Sequence, residues 1–244
     1  MIEDSGIDVS VGLTPSNHFG YYAAILTAAI TVVTFGFALI AIPISGANCP
    51  ADCVDYPYLD TASQFPRDFL WMPFAVLLVL AYVTVMVSIH SYAPGSKKIF
   101  SQAGLSFALI AGAILTTDYY LQFSVVPVSL LHNETQGLPL LIQYNPHGVF
   151  LALEELGYLI MSLSFLLVAP VFAGKNRLES AIQWVFIGAF LLVIIFLAWI
   201  TIAYGLGRED RFEVAALSTD WLALIINGTL LSIVFRRRMS LAPS

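Results

Sequence analysis

The chain has 244 residues, 59% of them hydrophobic and 11% charged, with a formal net charge of −6 and a mean hydropathy of +0.84. Soluble domains carry roughly 45–50% apolar and about 25% charged residues, so this composition excludes an ordinary soluble domain. It also excludes a disordered chain, which has too little apolar surface to fold. It argues against nucleic-acid binding, which needs a cationic face. What remains is a polytopic membrane protein.

The N-terminus reads MIEDSGIDVS. It is acidic where a cleavable signal peptide is basic. The apolar run that follows is long enough to span, so it is read as a true first helix. A hydrocarbon core about 30 Å thick takes roughly 20 apolar residues in a helix. Six stretches meet that length, at residues 20–45, 68–92, 99–123, 148–172, 179–205 and 212–235. None alternates like a strand of a membrane barrel. Backbone polar groups in lipid must be satisfied internally. The expected fold is therefore all-α, a six-helix transmembrane bundle forming a single domain over residues 1–244.

Orientation is read from Lys and Arg near the span ends. Lys97, Lys98, Lys175, Arg177, Arg236, Arg237 and Arg238 fall on one side, and Arg67, Arg208 and Arg211 on the other. The excess places both termini in the cytoplasm of a multi-pass cell-membrane protein. The two long loops, 46–67 and 124–147, then face outward. Cys49 and Cys53, the only cysteines, lie in the first of them. On the oxidising side they are a disulfide candidate, with two free thiols as the alternative. Asn133-Glu134-Thr135 in the second loop is a glycosylation sequon.

Helices two–three and four–five each form a hairpin through Ala-Pro and a basic turn. At an offset of 76, Tyr82 meets Tyr158 and Ser88 meets Ser164. This fits an old parallel duplication, although two hairpins of the same topology resemble one another anyway.

The informative residues are ionisable groups inside spans, each of which needs a partner or a use. Asp118, Glu154, Glu155 and Asp220 qualify. At 1.5 Å per residue, Asp118, Glu154 and Asp220 all sit roughly 8–12 Å below the outer surface. Helix four aligns His147, Glu154, Tyr158 and Ser162 on one stripe, with Glu155 about 100° away. Helix six aligns Glu213, Asp220 and Asn227. Helix three offers Asp118 and Gln122 beside Tyr119 and Tyr120. Helix one offers Thr27, Thr31 and Thr34, and helix five Thr201 and Tyr204. Trp221 follows Asp220 and could line a pocket.

No HExxH, GxSxG or phosphate-cradling loop is present. The histidines are scattered, and no lysine lies within a span to hold retinal. No metal and no cofactor are expected. The expected partners are membrane lipids and a lipid-like ligand, with no nucleic acid.

Three readings remain open. In the first, an acid-lined cavity open to the outer side binds a small lipid-like or isoprenoid molecule. Asp118, Glu154 and Asp220 act there as acid and base, and Tyr119, Gln122, His147, Glu155, Tyr158, Tyr204, Trp221 and Asn227 surround the substrate. In the second, the same acids serve a proton-coupled carrier of a small solute. In the third, they are interhelical glue in a non-catalytic membrane subunit.

The segment from Gln143-Tyr144-Asn145-Pro146-His147-Gly148 to Leu153-Glu154-Glu155-Leu156-Gly157-Tyr158, with Asp118-Tyr119-Tyr120-Leu121-Gln122, resembles a stretch in small prokaryotic multi-helix integral membrane proteins. That resemblance implies no activity. It implies only that these polar residues belong together.

Overall fold

The computed structural model describes residues 10–41, 43–174 and 176–241. Lys175 and the acidic residues 1–9 lie outside the described residues.

The described residues form seven α-helices: α1 (Ser10–Ala38), α2 (Trp71–Tyr92), α3 (Lys98–Ser124), α4 (Val126–Leu131), α5 (Val149–Val168), α6 (Arg177–Tyr204) and α7 (Arg211–Leu241). All except α4 are long and apolar enough to cross a membrane. The chain is thus an all-α, multi-pass membrane protein. The six long helices form a closed ring in chain order. Each packs on the next, α7 returns to α1, and α5 also reaches α7 across the middle.

Several boundaries differ from the sequence reading. The first helix ends at Ala38 rather than residue 45, and the chain then turns towards Gly46 (φ 73°). The last helix runs on to Leu241, carrying Arg236, Arg237 and Arg238 within it. The second long loop is not irregular throughout. It contains α4, with a proline in its first turn, where the missing N–H costs no hydrogen bond.

The lipid-facing surface is clearest on α6, where Leu191, Leu192, Ile195 and Ile202 are exposed. Trp184 and Trp199 are exposed on the same helix. They stand about 22 Å apart along its axis, a spacing suited to the two interfacial belts. Trp71 and Trp221 are buried instead.

Cys49 and Cys53 form a disulfide. By chain entropy, so short a loop contributes no more than about 2 kcal/mol.

Candidate functional site

The long-loop face of the bundle holds a cavity of about 380 Å³, lined by side chains of α1, α2, α5, α7 and the loops above them. Its wall is mostly apolar and aromatic, with Phe35, Leu39, Trp71, Leu151 and Leu217 prominent. Such a size and lining are usual for a small-molecule site.

The roof is stitched together by polar contacts. Asp210, in the turn between α6 and α7, accepts from the Ala47 amide at 2.8 Å and from Asn48 Nδ2 at 3.0 Å. Gly46 is required here. Its φ is +73°, and a Cβ would lie 3.0 Å from Asp210 Oδ1. Ser45 Oγ donates to the Tyr144 carbonyl, tying the first long loop to the second.

A second clasp holds the base of the loops. Asp68 is fully buried. It pairs with Arg67 and accepts from the Tyr144 hydroxyl. Burial, and then the Asp68 carboxylate, push the Tyr144 hydroxyl well above the ordinary tyrosine range. The sign follows from that direction: the stability it contributes is fully present below about pH 10, the ordinary tyrosine value, and is lost as pH rises further. Tyr144→Phe is expected to cost about 1–3 kcal/mol, because Asp68 loses a buried donor. Thermal unfolding between pH 6 and 11 checks this: the deficit should be constant at the lower end and shrink above about pH 10. A deficit that is flat across the whole range would contradict it.

Below the roof, α3, α5 and α7 contribute a directed hydrogen-bond chain. Trp221 Nε1 donates to Tyr158 Oη at 3.0 Å. Tyr158 and Tyr119 hydroxyls meet at 2.5 Å. Tyr119 Oη donates to Glu154 Oε1 at 2.7 Å. Tyr119 spends its single proton on Glu154, so Tyr158 is the donor to Tyr119, and the indole N–H, which can only donate, starts a chain that ends on Glu154. Edge-on contacts of Trp71 with Tyr119 (5.1 Å) and of Tyr158 with Trp221 (6.4 Å) lock these rings. Glu154 lines the cavity, and its Oε2 has no protein hydrogen bond among the described residues.

The α7 acid that faces Glu154 is Glu213. It lines the same cavity and is close enough for its charge to interact with those of Glu154 and Asp118. Glu154, Glu213 and Asp118 thus lie within reach of one another's charge, whereas the sequence reading has Asp220 as the α7 member. Asp220 stands seven residues further along α7, about 10 Å deeper. It is fully buried and absent from the cavity wall, and among the described residues neither of its oxygens has a hydrogen-bond partner. Asp118 is buried behind the wall, with Oδ2 unpartnered.

The other expected site residues fall into separate places. Glu155 points away from Glu154 and pairs with Arg208. With His147 it borders a second, smaller cavity of about 180 Å³. Gln122 Nε2 donates to the Leu141 carbonyl at 3.2 Å, fastening α3 to the second loop. Asn227 Nδ2 reaches the Ile182 carbonyl of α6 at 3.4 Å. Tyr204 is exposed, with Arg211 stacked 4.2 Å above its ring, so it is not a wall of the cavity. Thr27, Thr31 and Thr34 each donate to their own helix one turn back. Their face is therefore satisfied without the site.

Sequence reasoning did not select Phe35, Trp71, Tyr144 or Asp210 for the site. Trp71 and Phe35 carry no polar signal that separates them from packing residues. Asp210 lies in the turn between two spans and belongs to no helical stripe. Glu213 shares the α7 stripe with Asp220 and Asn227 but is not among the four carboxylates the sequence singles out, and it stands only two residues into α7.

Comparison with family profiles, with curated proteins and with solved structures gives no match. The resemblance to small multi-helix membrane proteins thus extends to architecture alone. Fold and site define a polytopic membrane protein whose bundle encloses buried carboxylates beside an apolar cavity.

Proposed function

We propose that the protein lies in the cell membrane with both termini in the cytoplasm, binds a small amphipathic, lipid-like or isoprenoid molecule in the cavity, and converts it by proton transfer at Glu154. The observation that carries this reading is Glu154 itself. One carboxyl oxygen is held by a hydrogen-bond chain of fixed direction, and the other is free at an apolar wall. Such an acid can give a proton to a bound double bond and take one back from a neighbouring carbon. That isomerisation balances without a co-reactant. Trp71 and Phe35 offer ring faces to the positive charge that develops.

The test is extraction of small molecules from the full chain purified in lipid nanodiscs, followed by mass spectrometry. The wild type should carry an apolar compound that Leu217→Trp, which fills the cavity, loses by about tenfold or more. Glu154→Gln should retain the compound in unconverted form. Identical extracts from all three proteins would overturn the reading.

One observation favours the carrier alternative. Glu213, Asp220 and Asn227 recur along α7 from the cavity into the bundle, in steps of about 10 Å, and all three are buried. A proton-coupled carrier would use Asp220 as its inner station.

A further inference from the structure

The charge balance around the cavity narrows the class of its occupant; this step rests on the cavity reading above. Among the described residues the wall contains three acids, Glu154, Asp210 and Glu213, and no Lys, Arg or His. Asp210 is already committed to Ala47 and Asn48, and Glu154 is half committed to Tyr119. Glu213 is only 9% exposed, and among the described residues it has neither a hydrogen-bond partner nor an ion-pair partner. A carboxyl so placed stays ionised at low cost only when a cation joins it, and otherwise takes up a proton.

Among the described residues no such cation is supplied. The arginines of this face are engaged elsewhere: Arg67 with Asp68, Arg208 with Glu155, and Arg211 at 3.9 Å from Glu209 and over the Tyr204 ring. Nor do three His, Cys, Asp or Glu side chains converge as metal ligands among the described residues. The remaining wall is mostly apolar, with Ser45, Asn48, Gln143 and Ser218 as its uncharged polar side chains, and it includes three aromatic rings, Phe35, Trp71 and Tyr144. Aromatic faces beside a buried carboxylate suit an organic ammonium group.

We infer that the cavity takes a monocationic amphiphile, an amine-bearing molecule whose ammonium head pairs with Glu213 and whose apolar body lies along Phe35, Leu151, Trp71 and Leu217. Glu154 then faces the body of the molecule rather than its charge, which leaves its free oxygen available for proton transfer.

Calorimetric titration of the nanodisc-embedded full chain tests this, with heats from empty nanodiscs subtracted. The probes are 4-phenylbutylammonium and its neutral counterpart 4-phenylbutanol. The ammonium should bind at least about tenfold more tightly than the alcohol. Glu213→Gln should remove most of that preference while sparing alcohol affinity. Ser218→Lys, which puts a built-in cation on the same wall, should remove it as well and guards against misfolding of the first variant. Equal binding of the two probes to the wild type, or a preference that survives both substitutions, overturns the cationic assignment and leaves the cavity reading intact. If neither probe binds, or if Leu217→Trp binds both as the wild type does, the cavity reading itself falls and this inference with it.

Discussion

Gly104→Leu is expected to leave little folded protein. A Cβ at Gly104 would lie 2.4 Å from Val168 Cγ1 and 3.0 Å from the Ser164 carbonyl oxygen. Optimal carbon contacts lie near 3.5–4.0 Å. The valine methyl can move, but the carbonyl belongs to the α5 backbone and can retreat only if α3 and α5 separate. That seam also carries the Tyr119–Glu154–Tyr158 chain, so the site is lost with it. Overpacking a tight core costs about 1–3 kcal/mol per modest insertion, and a whole leucine side chain against backbone exceeds that range. Gly188→Leu is the internal control, since nothing lies within 4 Å of its Cβ position. Gly157→Ala is an intermediate case. Its clash at 2.5 Å is with the Leu115 side chain, which can rotate. Size-exclusion profiles and thermal unfolding in detergent should rank the three as Gly188→Leu, Gly157→Ala and Gly104→Leu, from most to least stable. Equal stability of the two leucine variants would refute the close-approach argument.

Asp220→Val is expected to stabilise the fold by about 1–3 kcal/mol. Asp220 is completely buried, and among the described residues neither carboxyl oxygen has a partner. The nearby polar pair does not serve it, because the Tyr82 and Ser164 hydroxyls bond to each other at 2.5 Å. An apolar side chain of similar size removes the desolvation cost and sacrifices no contact. The opposite holds if Asp220 is interhelical glue: its removal then lowers the melting temperature. A stabilised variant that has also lost conversion or solute-driven proton movement would show that the acid is retained at a cost to stability because function requires it. A destabilised variant with unchanged chemistry would instead make Asp220 interhelical glue rather than part of the site.

The number of crossings, the helical class and the polar stripes were legible in the sequence, because each rests on a one-dimensional property. Hydropathy summed over about 20 residues decides whether a segment spans, and a period of 3.6 decides which side chains share a face. Thus Glu154 and Tyr158 were correctly placed on one stripe and Glu155 off it. The disulfide was left open, and its formation follows from how the first long loop folds. The Asp68–Tyr144 clasp was not read at all, because its partners lie 76 residues apart and neither belongs to a periodic pattern.

What the chain alone determined is the set of faces: which residues look inward on each helix, and roughly how deep. What only the tertiary structure decided is which of those faces meet. Rotation and tilt of each helix are set by close contacts such as Gly104 against α5 and Gly228 against the Ala24 carbonyl of α1, and no helix carries that information by itself. For this reason α7 brings Glu213 to the cavity and leaves Asp220 sealed, although both stand on the same stripe.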